Sequence, residues 1–227
     1  VHFERLKLTP ELPETEPLYE APRWAPQHDL AWLETTLAPQ SLQFMIDLLP
    51  VIRELIAGWP RDVPLRVLDV GTASGAGANL LGQLYSGPML GPRMIVDAME
   101  LHPWMARYAR GKLSFIRKYL VADVRNYWSE EPWDLVICSH TLEHVSDWGE
   151  FAAALKRLAS RWVLVYTPWK EQHRIPEHVL SIDEPFLELV GAQRQWIIDS
   201  PAWYHAVDAE ARCVAFVLPG GADDSVA

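Results

Sequence analysis

Cysteine is scarce in this chain: two occur among 227 residues, Cys138 and Cys213. Both sit inside apolar, strand-like runs, so they read as small buried hydrophobes and not as a disulfide or a nucleophile. A disulfide-stapled framework is therefore disfavoured, and a reducing, cytoplasmic setting is expected. Also missing is any apolar run of membrane-spanning length, and no charged-then-apolar leader opens the sequence. Positive charge is short as well: 20 Lys and Arg stand against 30 Asp and Glu, for a formal net charge of -10, with no basic run. A phosphate backbone requires a basic surface, so no nucleic-acid partner is expected. What is abundant is apolar material, 49% of residues against 22% charged, enough for one sizeable core in a globular domain.

The chain is organised around the stretch from Leu65 to Leu81. Val67 to Val70 is a short aliphatic run between Pro64 and Gly71, the pattern of a strand buried on both faces. Small residues follow from Gly71 to Ala78, and then Leu80, Leu81, Leu84 and Tyr85 fall at helical spacing. Strand, tight glycine turn and helix together place unpaired backbone N–H groups and the positive end of a helix beside whatever binds there. Glycine in such a turn lets a ligand approach the backbone. Asp69, at the strand's carboxyl end, is placed to accept hydrogen bonds from a cationic or hydroxylic ligand.

Val67-Leu-Asp-Val-Gly-Thr-Ala-Ser-Gly75 resembles the first motif of the class I S-adenosylmethionine-dependent methyltransferases. One departure is visible: the middle glycine of the family's turn is Ala73 here, which predicts a slightly wider turn. The competing reading is a nicotinamide-type Gly-x-Gly-x-x-Gly turn. It fits less well, because the glycines fall at 71, 75 and 77.

Along the rest of the chain, residues 1 to about 27 carry Pro10, Pro13, Pro17, Pro22 and Pro26, which oppose helix. Tyr19 and Trp24 favour an arm laid over the body above a free tail. Asp29 is placed to cap a short helix through Leu30, Trp32 and Leu33. A longer helix starts at Pro39 and ends near Gly58, with a kink or break expected at Pro50. Further strands read as Arg93 to Glu100, Tyr119 to Ala122, Asp134 to Ser139, and Trp162 to Thr167, the last stopped by Pro168. Gln195 to Ile198 and Cys213 to Leu218 read as a closing hairpin. Pro103 starts a helix; Asp147 with Glu150, and Ser181 with Glu184, have capping-box spacing ahead of two more. Strands alternating with helices predict an α/β fold, Rossmann-like and doubly wound. A mostly parallel seven-stranded sheet would carry helices on both faces and a C-terminal antiparallel hairpin. The ligand crevice is expected at the carboxyl ends of the strands, where strand order reverses. Residues 1–60 would form the arm and, by resemblance, a helical lid. Residues 61–220 would form the methyltransferase domain and 221–227 a tail.

Acidic residues recur where successive strands end. Glu100 closes the second strand, where a carboxylate can accept both hydroxyls of a ribose. Asp97 is an odd number of residues away and faces the opposite side. The resemblance assigns Asp123 and Val124 to the adenine. The acidic strand ends and the glycine turn, taken with the resemblance, imply a cofactor set of Asp69, Gly71, Thr72, Ala73, Gly75, Glu100, Leu101, Asp123, Val124 and Ser139. The segment Trp133-Asp-Leu-Val-Ile-Cys-Ser-His-Thr-Leu-Glu-His-Val-Ser-Asp147 closely resembles the fourth-strand motif of the subgroup acting mainly on small molecules and quinone-like lipids. There Ser139 and His140 would face the methionine part of the cofactor. His140 and His144 are the candidates for a general base, since imidazole titrates near neutrality. For His144 a structural role, fixing the loop by hydrogen bonds, is an equal reading.

His173, Glu177 and His178 raise the question of a metal, but their spacing matches no tight helical pair, so a polar loop is expected and no metal. Trp169, Trp196 and Trp203 lie where the family builds its acceptor pocket, although core packing accounts for most tryptophans. The resulting expectation is methyl transfer from S-adenosylmethionine to a small-molecule acceptor by in-line displacement. A non-catalytic methyltransferase-like binding protein and a nicotinamide-dependent oxidoreductase are the alternatives.

Overall fold

The computed structural model describes residues 30–109, 112–171, 177–201 and 212–221. The expected proline-rich arm, the Asp29 cap, His173 and Trp203 lie outside the described residues. In chain order the regular elements are α1 (Leu30–Trp32), α2 (Ala38–Leu55), β1 (Leu65–Val70), α3 (Ala76–Leu84), β2 (Met94–Glu100), α4 (Pro103–Ala109) and β3 (Ile116–Val121). They continue with β4 (Trp133–Ser139), α5 (Trp148–Leu158), β5 (Ala159–Trp169), α6 (Glu184–Val190), β6 (Arg194–Ile198) and β7 (Arg212–Pro219).

The seven strands form one sheet in the order β3-β2-β1-β4-β5-β7-β6. All neighbours from β3 to β5 pair in parallel, while β7 runs antiparallel to both β5 and β6. The Rossmann-like expectation and the antiparallel closure both hold. The central strands are buried on both faces because helices cover both, which is why β1 and β4 read as continuous aliphatic runs. One core, around Leu48, Ile52, Val67, Leu81, Ile137 and Tyr166, lies under α2 and α3. The other, around Leu68, Val136, Leu155, Val163 and Phe216, lies under α5 and α6. Both cysteines are free and fully buried, as their apolar surroundings predict. Among the described residues no helix is long and apolar enough to cross a membrane.

Four local expectations are corrected. The two N-terminal helices are not separate: a π-helical segment, Leu33–Leu37, joins α1 to α2. Helix α2 continues through Pro50, where no break occurs. Pro50 and Ile46, whose carbonyl loses its helical partner, are both exposed, so water can satisfy that carbonyl. Strand β5 does not stop at Pro168. Strand β4 ends opposite Tyr166, so Pro168 has only β7 beside it, and the missing N–H leaves no ladder unfilled on the other side. Neither capping box forms: Asp147 makes no side-chain cap, and α6 is capped by Asp183, which accepts from the Phe186 N–H at 3.0 Å. Gly220, the last residue of the expected domain, is tied to the sheet through its N–H to the Arg161 carbonyl at 2.9 Å.

Candidate functional site

Sheet order reverses between β1 and β4, and a cleft of about 840 Å³ opens there. That volume suits a ligand of nucleoside size. Its floor is the turn after β1. The Gly71 and Thr72 N–H groups both donate to the Met99 carbonyl of β2, at 2.9 and 3.2 Å. Gly71 has φ 72°, and a Cβ built there would meet Thr141 Oγ1 at 2.1 Å. Ala73 also takes a left-handed φ, 51°, so it reproduces the backbone of the glycine it replaces, at ~1–2 kcal/mol of strain. The Tyr119 hydroxyl donates to the Ala73 carbonyl and pins the turn from β3.

Gly75 is placed differently from the other turn residues. It is the left-handed N-cap of α3, and its Cβ would point at Leu113 and Tyr119, behind the cleft wall. Gly77, unassigned by motif, does line the cleft. Its N–H donates to Ser41 Oγ of α2 at 3.1 Å, and a Cβ there would strike the Ser41 carbonyl at 2.6 Å. The glycine therefore lets the two helices touch.

Three carboxylates meet the cleft from three strand ends: Asp69, Glu100 and Asp123. Glu100 is buried and fixed by backbone donors. Ala73 N–H reaches Oε2 at 2.9 Å, while Leu101 and His102 N–H reach Oε1 at 2.8 and 3.1 Å. Asp69 is also buried. Burial, against a lowering bond from the Thr72 hydroxyl and with help from the Glu100 charge, pushes its carboxyl up to about 7. Such a group lacks a cation. Asp97 faces the opposite side of β2, as the strand period predicts. There it accepts from Arg117 Nε at 2.9 Å and from Trp133 Nε1 at 2.8 Å.

Asp123 and Val124 line the cleft as the resemblance implies, but the Asp123 carboxylate is already occupied. Arg125 donates to it from Nε at 3.0 Å, from its backbone N–H at 3.0 Å and from Nη2 at 2.6 Å. The Arg125 bonds outweigh burial and hold the Asp123 carboxyl below its ordinary range. Arg157, from α5, donates to the carbonyls of Val124, Arg125 and Tyr127 and braces the same loop.

The end of β4 supplies Ser139, His140, Thr141, Glu143 and His144 to the cleft. Ser139 Oγ is buried with no hydrogen-bond partner, an orphaned polar atom in the place expected for the ligand's methionine part. His140 has a left-handed φ of 47°. Its ring stacks on Phe44 of α2 with centroids 3.6 Å apart. Its Nδ1 lies 3.3 Å from Glu143 Oε1, and its Nε2 lies 3.7 Å from Cys213 Sγ. Both ring nitrogens thus face protein groups, and His140 is built as a wall. His144 Nδ1 lies 3.1 Å from the Glu177 carbonyl. Burial of its ring, partly countered by the Glu143 charge, lowers its pKa and keeps the imidazole neutral near pH 7.

The remaining wall comes from the N-terminal helices, through Trp32, Leu37, Gln40, Ser41, Phe44 and Met45. These were unassigned by motif, since hydrophobic spacing alone does not say which side of a helix meets a ligand. Two of the singled-out tryptophans are elsewhere. Trp169 packs on the core, and Trp196 donates from Nε1 to Glu54 Oε2 at 3.1 Å. Aromatic surface in the cleft is instead supplied by Trp32, Phe44 and Phe151.

The residues present fit S-adenosylmethionine: a glycine turn open to close approach, a fixed carboxylate at the end of β2, a carboxyl that lacks a cation, and a hydroxyl that lacks a partner. Comparison with known proteins agrees. Residues 42–215 match the model of a methyltransferase domain family. No curated protein matches the chain in sequence. Among solved structures, magnesium protoporphyrin IX methyltransferase from Synechocystis PCC 6803, with bound SAH, is 16% identical with a TM-score of 0.57, covering 81% of this chain and 88% of that one. A SAM-dependent methyltransferase from Aquifex aeolicus is 21% identical with a TM-score of 0.51, covering 84% and 94%. The putative methyltransferase in complex with its Trm112 activator from Haloferax volcanii is 14% identical with a TM-score of 0.58, covering 83% and 96%. At these identities the structures establish the fold, and the family match over most of the chain identifies it: the protein belongs to the methyltransferase domain family, as a class I S-adenosylmethionine-dependent methyltransferase.

Proposed function

We propose that the enzyme transfers the methyl group of S-adenosylmethionine to a small-molecule acceptor held in the same cleft. The observation that carries this is the convergence of Asp69, Glu100, Asp123 and the orphaned Ser139 hydroxyl on one cavity beside the Gly71 turn. In this reading Glu100 takes the ribose hydroxyls. Val124 and the Asp123 loop take the adenine, with Arg125 sharing the Asp123 carboxylate. Asp69 and Ser139 take the methionine end, whose ammonium supplies the cation that Asp69 lacks.

When bound, the cofactor supplies a methyl carbon made electrophilic by a positive sulfur. The chain's own residues orient the acceptor and exclude water. Alignment of this kind is worth ~7–11 kcal/mol in favourable cases. The new bond forms from an acceptor lone pair to the methyl carbon as the carbon–sulfur bond breaks, and the acceptor's proton leaves to a base or to water. Of the two candidate histidines, His144 better suits contact with the acceptor. It is a neutral imidazole on the cleft surface, whereas both His140 nitrogens already face Glu143 and Cys213. The α1–α2 segment, carrying Trp32, Phe44 and Met45, serves as the lid, and the domain proper runs from about residue 61 to 220.

The test is calorimetric titration with S-adenosylhomocysteine, followed by transfer of labelled methyl across a panel of hydroxyl, amine and carbon acceptors. Binding that is weakened in Glu100→Ala, with wild-type turnover on at least one acceptor, supports the proposal. No binding by the wild type overturns it. Binding without turnover on any acceptor supports the non-catalytic alternative.

A further inference from the structure

Lining the same cleft is a cluster of which methyl transfer as described uses only His144. Glu143, His144 and His178 each offer a ligand atom, and these atoms lie within 4.8 Å of one another. The first two belong to the short 3-10 turn after β4, and His178 arrives from the loop after β5. Their approach is fixed by the backbone: Val179 and Leu180 N–H both donate to the Glu143 carbonyl, at 2.9 and 3.2 Å. The histidine loop is thereby stitched to the glutamate turn.

The chemistry of each group is set for a cation. Glu143 is 1% exposed. Its Oε2 accepts from the Thr167 hydroxyl at 3.0 Å, and its buried Oε1 lies 3.3 Å from His140 Nδ1. Both imidazoles are oriented through Nδ1. His144 Nδ1 donates to the Glu177 carbonyl at 3.1 Å, and His178 Nδ1 donates to Glu171 Oε2 at 2.6 Å. In a neutral imidazole whose Nδ1 carries the proton, Nε2 holds the lone pair. A carboxylate behind the distal nitrogen of a ligating histidine is the usual support of a metal site. The rings meet edge to face, 4.7 Å between centroids.

We propose that Glu143, His144 and His178 bind one divalent transition-metal ion at the acceptor end of the cleft, with Glu171 as the positioning residue for His178. Two nitrogens and one oxygen suit zinc above magnesium or calcium, which prefer all-oxygen sets. Bond lengths of ~2.0–2.2 Å in a tetrahedral set put ligand atoms ~3.3–3.6 Å apart, so atoms now within 4.8 Å of one another must close in by up to roughly 1.2–1.5 Å. His144, on the cleft surface, can make that adjustment. Three protein ligands leave a fourth position, which faces the cavity that Asp69, Gly71 and Ser139 also line. The ligand for that position is an oxygen of the methyl acceptor. Coordination lowers the pKa of such an oxygen, so its proton passes to solvent water before methyl transfer and His144 acts as a ligand and not as a base. This last step rests on the proposed methyl transfer; the ion's binding does not.

The test is titration of the metal-stripped full chain with Co2+, followed by optical absorption, then displacement by Zn2+. Expected is a visible ligand-field band that saturates at one equivalent and is abolished by Zn2+. His178→Ala and His144→Gln should each weaken Co2+ binding by at least ~tenfold, and Glu171→Gln by ~10–100-fold. S-adenosylhomocysteine titration of the same metal-free samples reports on the fold and the cofactor site separately. No saturable band in wild-type protein that binds S-adenosylhomocysteine overturns the metal site and leaves methyl transfer standing. A band unchanged in both histidine variants overturns it equally.

Discussion

Replacing Asp69 by Asn sets stability against cofactor binding, and the size of the trade follows from one buried carboxyl. Burial raises its pKa from 3.8 to about 7, against the Thr72 hydroxyl bond and with the Glu100 charge. An acid raised on folding keeps its proton longer in the folded state than in the unfolded one. Its cost to stability is absent below the unfolded value of ~4, grows as pH rises from about 4 to about 7, and is constant above that. At ~1.4 kcal/mol per pH unit the full cost is ~4 kcal/mol, and at about pH 5 it is ~1–2 kcal/mol. Asn cannot titrate. Asp69→Asn should therefore gain ~2–3 kcal/mol more over wild type at about pH 8 than at about pH 5, whatever constant offset its amide introduces. Urea unfolding at a series of pH values measures this. The same variant loses the partner of the cofactor's ammonium, so S-adenosylhomocysteine should bind ~10–100-fold more weakly. Wild-type binding near pH 7 should release a proton, seen as a dependence of calorimetric heat on buffer, and Asp69→Asn should not. Wild-type and variant unfolding curves that stay parallel from about pH 5 to about pH 8 would refute the reasoning at its root.

Other outcomes follow from the same geometry. Glu100→Ala should weaken S-adenosylhomocysteine by ~1–3 kcal/mol in calorimetry, as for charge-assisted bonds. Gly71→Ala should abolish that binding, since the new Cβ overlaps Thr141 and the residue sits at φ 72°; unchanged affinity would remove the turn from the site. Ala73→Gly should raise stability by ~0.5–1 kcal/mol in urea unfolding, the relief at φ 51° exceeding the added chain entropy. Asp97→Ala should cost ~2–4 kcal/mol of stability by stranding Arg117 and Trp133, yet leave cofactor affinity unchanged, because it faces away from the cleft.

Much of the fold was legible because both periodicities are strong here. The aliphatic runs of β1 and β4 admit little but buried strands, and parity along β2 separates Glu100 from Asp97 without any structure. The capping residues were misjudged for a local reason: Ser181 and Asp183 are equally good caps by type, and packing of Phe186 and Leu187 into the core decides between them. Pro50 was read as a kink or break and Pro168 as a stop because proline costs a backbone bond. The cost disappears where that bond would have faced water or no neighbouring strand. In the cleft, the Gly71 turn, Asp69, Glu100, Ser139, His140 and His144 had been singled out by motif, whereas Thr141 and Glu143 had not. Nor had His178, because its meeting with Glu143 depends on how the loop after β5 returns across the sheet, and no spacing encodes that return.

The position of β7 has a consequence for synthesis. Among the described strands it is the last made, yet it lies between β5 and β6 and pairs with both. Until Arg212–Pro219 has left the ribosome, β5 carries a bare edge along Trp162 to Trp169 and β6 has nothing to pair with. The cofactor half of the sheet can assemble during translation, but the nascent chain must keep an adhesive strand edge covered until β7 slides in.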